Sequence, residues 1–434
     1  MMRRLFEPID NAGLVVFRML FGFLLFAETL GAILTGWVYR NLIEPEYTFP
    51  HIGFDWLQLP GWAVYAHFIA MSVLGLMVMA GYRYRLALGS FTILWTAAYL
   101  MQKVSYNNHY YLLLLVCIIM WWLPANRYAS WDAKRNPTTK STTMPRWCAV
   151  VMVLQIAIVY LFAVVSKLYP AWLDGSYIDL MLSAPNRTVF VKGVFDQHWF
   201  HLFLAWSGLA FDLLIVPALL WRRTRTIAFV AALVFHLFNA IVLQIGIFPF
   251  FALAFVLFFY PPENIRRWFL REKIRPETNC TLSSDLSAIY FFIPFFVLQL
   301  ALPVRHYFIE GDVLWTEEGH RLSWRMMLRQ KQAYSHYKVV DRKTGAIVPY
   351  RLEDHLTPKQ IGFVSFKPDG IWQMAQYIKE HFARQNKDVA VYVTAMVSVN
   401  GGPFLPFVDS SVDLAHADWN YFGHSSWLLP EGQR

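Results

Sequence analysis

Residues 158–177 read IVYLFAVVSKLYPAWLDGSY. An apolar run of membrane length, 146–166, arrives at Lys167, where the sequence changes to Tyr, Pro, Trp, Asp and Gly. A lysine at such a junction has two readings. Its ammonium can reach for headgroup water as an anchor, or it can be a desolvated amine kept for chemistry.

Working outward, the chain repeats this pattern of oily blocks. Of its 434 residues 57% are hydrophobic, with 36 Phe and 18 Trp. The excess over an ordinary soluble chain comes in runs of about 20 residues, which predicts a polytopic α-helical membrane bundle embedded in a lipid bilayer. The net charge of +9 raises nucleic acid as a partner, but its distribution excludes it. After Val304 the polar tail carries 15 Lys and Arg against 14 Asp and Glu, so the surplus lies in the membrane loops, where it reports topology.

About nine segments are expected, at 12–34, 62–81, 86–101, 110–123, 146–166, 199–221, 226–244, 247–260 and 286–304. With the N-terminus inside, the cytoplasmic stretches hold 17 basic residues and the opposite loops five. That asymmetry orients the bundle and puts the tail, 305–434, outside the cytoplasm, as for a multi-pass protein of the plasma or inner membrane. The N-terminal hydrophobic stretch is read as a retained first helix.

This topology gathers polar residues on one leaflet. Lys167 ends an outward-running helix; Asn107, Asn108 and His109 begin another; His236, Asn239 and Gln244 occupy the outer half of a third. Each has a plainer reading as well: helix capping for the asparagines and interhelical hydrogen bonding for His236 and Asn239. Asp212 reads as structural, and Arg18 and Glu28 in the first segment lack an assignable partner. Tyr169, Trp172 and Tyr177 suit an interfacial belt. His198 and His201 have no carboxylate or cysteine companion, so no metal site is expected. Cys117 and Cys148 lie in apolar segments, Cys280 in a loop, and the tail has none.

The tail reads as a small α+β domain. Strands are expected at Arg321–Lys331, Tyr334–Asp341 and Ala346–Arg351, a helix at Ile371–Gln385, and a further strand at Val389–Asn400 that turns at Asn400-Gly401-Gly402 into Phe404–Val408. The domains are therefore drawn as 1–304 and 305–434.

Six blocks carry a resemblance: VFRMLFGFLLF at 16–26, NNHYYL at 107–112, LFAVVSKLYPAWLDGSY at 161–177, FHLFNAIVLQIGIF at 235–248, WTEEGHRLSWRMM at 315–327, and VSVNGGPFLPFVDSSVDLAHADW at 397–419 followed by HSSW at 424–427. In that order they resemble the vitamin K-dependent γ-glutamyl carboxylase family and its horizontally-transferred-transmembrane-domain (HTTM) module. The resemblance implies an integral membrane enzyme that couples O2-dependent oxidation of vitamin K hydroquinone to its epoxide with γ-carboxylation of glutamyl residues, a carbon-carbon lyase with epoxidase activity. The cofactor would be a reduced quinone of menaquinone or phylloquinone type, with O2 and CO2 as co-substrates and a glutamyl peptide or protein as partner.

By the same resemblance Lys167 is the base that deprotonates the hydroquinone, and His109 works beside it. His236, Asn239, Asn108 and Met326 fall to the quinone, and Trp315, Trp324, Met327 and Arg325 to the substrate. The chemistry needs such a device. The γ-hydrogen of glutamate is too weakly acidic for any side-chain base, so a stronger base must be generated in place, away from water. An amine desolvated by apolar neighbours can take the first, easy proton.

Two departures bear on the acceptor. Arg325 stands where animal members have an acidic residue, and the loop at 276–285 is shorter than the basic stretch those enzymes use for propeptide recognition. Two alternatives follow: a hydroquinone oxidase or epoxidase with a different acceptor, or a non-catalytic membrane scaffold or transporter.

Overall fold

The computed structural model describes residues 2–183, 193–194, 196–242, 246–271 and 287–432. Gln244, Cys280 and the loop 276–285 lie outside them. Every apolar block becomes helix: α1 (Ala12–Leu34), α2 (Gly61–Ala80), α3 (Tyr84–Met101), α4 (Asn108–Trp122), α5 (Trp147–Lys167), α6 (His198–Leu220), α7 (Arg225–Ile241), α8 (Phe248–Ala254) and α9 (Ser287–Val304).

Nine helices are not nine spans. Among the described residues five helices have the length and apolarity to cross a bilayer, and a sixth is counted only if the helices 248–258 and 262–270 are joined across their 118° bend. The expected count of nine is therefore unsupported. At 15 and 17 residues, α4 and α7 reach about 22–26 Å, short of a hydrocarbon core of about 30 Å. The bent pair breaks at Pro261-Pro262, where proline cannot continue a helical ladder.

α5 is the hub of the bundle, buried on most of its circumference from Cys148 to Ser166. α1 and α2 pack closely enough that a Cβ on Gly22 would lie 2.3 Å from the Met79 nitrogen. Only the small residue admits that approach. Arg18 finds its partners at a helix end, donating to the carbonyls of Val78, Met79 and Ala129. Cys117 and Cys148 are buried free thiols.

The soluble domain is a four-stranded antiparallel sheet, in the order β2-β1-β3-β4, backed by helices. Its strands are β1 (Lys331–Asp341), β2 (Ile347–Val348), β3 (Val389–Val399) and β4 (Leu405–Pro406). Eleven residue pairs register β1 against β3, from Lys331↔Val399 to Asp341↔Val389. Their alternate side chains, such as Tyr337, Val339, Val391 and Val393, face α10 (Pro358–Phe366) and α11 (Pro368–Ala383) in one core. The expected α+β character holds; α10 was missed.

The strand expected at 321–331 is absent before Lys331. Instead Leu322, Trp324 and Met327 adopt φ of 60°, 58° and 51°, which breaks any ladder and turns the chain repeatedly over the bundle.

Loops of the bundle grip this domain. Phe49 belongs to the soluble core. The Tyr377 hydroxyl donates to the Thr48 carbonyl at 2.6 Å, and Lys359 donates to Asn41 at 2.7 Å. At the centre Asp369 meets both Lys103 and Arg321 at 2.7 Å. Burial alone would raise the Asp369 carboxyl, but Arg321 and Lys103 hold it far below the carboxylate range. The ends of α1 and α3 and the starts of α2 and α4 thus face the tail, while Asp10 and Arg266 pair at 2.7 Å in a buried cluster.

Candidate functional site

Two helices show how the site arises. On α6 the buried positions Ala205, Gly208, Leu209, Asp212, Ile215 and Leu219 follow a helical stripe. On α7 the buried residues are Ala228, Ala232, His236 and Asn239, again one face. Small residues on both stripes leave room, and the polar groups fall within it. Together with α5 they line a cavity of about 1340 Å3. That exceeds the size of an ordinary small-ligand pocket and suits a ligand with a long apolar portion.

Lys167 donates to Asp212 Oδ2 inside this cavity. Asp212 is the fifteenth of the 23 residues of α6, about 21 Å along the helix from His198. The Lys167 side chain is 12% exposed and that of Asp212 5%, so the ammonium is turned into the bundle. It also lies 5.0 Å from the centre of the Trp172 ring, a favourable place for a cation. The chain after Lys167 explains this. It climbs back along α6, with Trp172 Nε1 donating to the Ala205 carbonyl at 3.1 Å. Trp172 and Tyr177 are consequently buried against α6, and the Tyr169 hydroxyl donates to the Leu328 carbonyl. The three are packing residues, not the interfacial belt expected from their type.

The other polar groups converge as expected. His109 stacks on Phe248 with ring centres 4.2 Å apart, and its Nδ1 is buried without a hydrogen-bond partner. His236, edge-on to Phe248 with ring centres 6.1 Å apart, shares a 3.1 Å hydrogen bond with the Tyr160 hydroxyl through Nε2, and its Nδ1 likewise has no partner among the described residues. Asn239 lines the same cavity. Asn107 caps α4 by accepting from the Tyr110 backbone at 2.8 Å, so the capping reading belongs to it. Asn108 points onward, donating to the Arg325 carbonyl at 3.2 Å. This bond ties α4 to the roof.

The roof is the 315–327 segment. Met326, Met327, Arg325 and His320 line the cavity. Arg325 is 8% exposed, and among the described residues no carboxylate lies within ion-pair reach of it. His320 Nδ1 lies 3.3 Å from Arg329, which can only donate, so Nδ1 accepts and Nε2 carries the hydrogen. Burial and Arg329 hold His320 well below the usual imidazole range, hence neutral. Burial alone would raise the Glu317 carboxyl, but Arg329, Lys331 and Lys367 together keep it well below its usual range.

Two expected substrate residues lie elsewhere. Trp315 is buried in the core of the soluble domain, donating to the Leu429 carbonyl at 2.8 Å. Trp324 is packed into the bundle, stacked 5.1 Å from Tyr111. Neither lines the cavity. Sequence reading missed Asp212, Tyr160, Phe248 and His320. Asp212 left one signal, an ionisable residue on the small-residue stripe of α6.

Residues 6–264 match the HTTM domain family model, and residues 285–434 match the vitamin K-dependent gamma-carboxylase, lumenal domain model. The chain belongs to the vitamin K-dependent gamma-carboxylase family. The two matches meet at this cavity, whose walls come from the HTTM domain and whose roof comes from the lumenal domain. It is a membrane protein with a lumenal-type, non-cytoplasmic C-terminal region. No solved structure matches the chain.

Proposed function

We propose that the protein is a carboxylase-type membrane enzyme that oxidises vitamin K hydroquinone with O2 to the epoxide and couples this to γ-carboxylation of glutamyl residues. The observation that carries the reading is the Lys167–Asp212 pair, set with His109 and His236 in one large apolar cavity roofed by the soluble domain.

The residues present fit a reduced quinone. Two imidazoles, those of His109 and His236, lie against Phe248 beside the cavity, and among the described residues their Nδ1 atoms have no hydrogen-bond partner and are free to serve ring oxygens. The apolar walls of α6 and α7 suit an isoprenoid chain. When bound, the quinol supplies the oxidative chemistry that generates a base stronger than any side chain. Lys167 passes a proton to the Asp212 carboxylate and, as the neutral amine, would accept the hydroxyl proton at Nζ, with Asp212 holding that amine in the cavity. Tyr160, bonded to Nε2 of His236, fixes which imidazole nitrogen faces the ligand. Met326 and Met327 close the roof and keep water out. Arg325 and His320 there offer N–H donors to a carboxylate.

The purified protein supplied with reduced vitamin K, O2, labelled bicarbonate and a short glutamyl peptide should form epoxide and label the peptide. Epoxide without label would move the assignment to a hydroquinone epoxidase with another acceptor. Lys167→Ala should abolish both products while the protein remains folded and membrane-inserted; full activity in that variant would refute the role given to Lys167.

A further inference from the structure

A second cavity, of about 30 Å3, lies where α1, α2, α3 and α4 approach the soluble domain. Its walls include Trp37, Phe68, Trp95, Tyr99 and Tyr110, and one carboxyl, Glu28. The rings are set at steep angles. Trp95 and Tyr110 meet at 89° with centres 5.1 Å apart, and Trp37 and Tyr110 at 90° and 6.5 Å. Glu28 shares a hydrogen bond with the Tyr110 side chain, and among the described residues no lysine, arginine or histidine lies within ion-pair distance of it. The Tyr99 hydroxyl is buried beside it and shares a hydrogen bond with the Tyr106 side chain. A carboxyl inside aromatic walls, with no cationic side chain to pair with it, is the chemistry that receives a small cation.

From this geometry we propose that the Glu28 cavity binds the primary ammonium of a phosphatidylethanolamine headgroup. The volume admits a group of two or three heavy atoms and excludes a trimethylammonium. Glu28 lies six residues before the end of α1, about 9 Å along the helix, within reach of the headgroup zone. Charge complementarity points to a zwitterion instead of a free amine. Lys359 donates at 2.7 Å to Ser105, a wall residue, and so sets a positive charge where the phosphate of a bound ethanolamine headgroup would follow. The site is separate from the quinol chemistry proposed above and stands or falls without it.

The test is native mass spectrometry of the full chain in mild detergent, with phosphatidylethanolamine, phosphatidylcholine or phosphatidylglycerol added. One equivalent of phosphatidylethanolamine should be retained about tenfold or more in preference to the other two. Glu28→Gln should lose that preference. So should Ala32→Met, which fills the cavity and leaves the carboxyl, and which carries the test if Glu28→Gln fails to fold. Equal retention of all three lipids, or an undiminished preference in both variants, overturns the proposal and leaves Glu28 a hydrogen-bond partner of Tyr110 alone. A change in tryptophan emission on adding free ethylammonium to wild type but not to Glu28→Gln, without lipid retention, overturns the lipid source and assigns the cavity to a soluble amine.

Discussion

Replacing Asp212 by Asn removes one half of a buried ion pair and leaves Lys167 without its carboxylate. Both side chains are nearly enclosed, at 12% and 5% exposure, so solvent offers little compensation. Breaking such a pair from one side costs about 3–5 kcal/mol. Replacing both partners by apolar residues of similar volume, Lys167→Met with Asp212→Leu, removes the desolvation penalty together with the attraction and is often neutral or better. The four proteins form a cycle: wild type, Lys167→Met, Asp212→Leu and the double variant. Reversible unfolding in mixed micelles should give single-variant losses of about 3–5 kcal/mol each and a double-variant loss well below their sum. Strict additivity, within about 0.5 kcal/mol, would show that the two charges do not meet and would refute the buried pair. Activity supplies the contrast, since the double variant should be stable and produce no epoxide.

Other outcomes follow from the same contacts. Asp369→Asn leaves Lys103 and Arg321 buried without a carboxylate and should cost about 3–5 kcal/mol, read as thermal unfolding in detergent. Because Arg321 and Lys103 hold the Asp369 carboxyl far below its unfolded value, its contribution is full above about pH 4 and declines as pH falls further. The difference between wild type and Asp369→Asn should therefore narrow in acid. Trp315→Ala should destabilise the soluble domain by about 3–5 kcal/mol, with KM for a glutamyl peptide unchanged in protein that remains folded, because the ring lies in the core away from the cavity. A KM rise without loss of stability would return Trp315 to the substrate. A reporter fused after the C-terminus should give a non-cytoplasmic signal; a cytoplasmic one would overturn the orientation.

Most of the fold was legible because period and composition are local. Each oily block became a helix, and alternation placed β1 and β3 correctly. Span number was less legible, since a helix of 15 or 17 residues has the composition of a span without its length. The segment 321–331 misled because its Trp, Arg and Met serve the roof of a cavity and not a ladder, and left-handed backbone at Leu322, Trp324 and Met327 has no strong sequence mark.

The sequence by itself determined a helical membrane protein with a small outer α+β domain, and through six ordered blocks it determined the family. It also named most of the polar residues in the cavity. The tertiary structure decided what surrounds them. Lys167 and Asp212 stand 45 positions apart in the chain and meet because α5 and α6 pack against each other, with the residues after Lys167 folded back along α6. Trp315 and Trp324 share the motif with Met326 and Met327 yet turn into two different cores. A motif fixes which side chains are available, but their direction depends on backbone torsion and on which neighbouring helix leaves space. Those are properties of the packed chain.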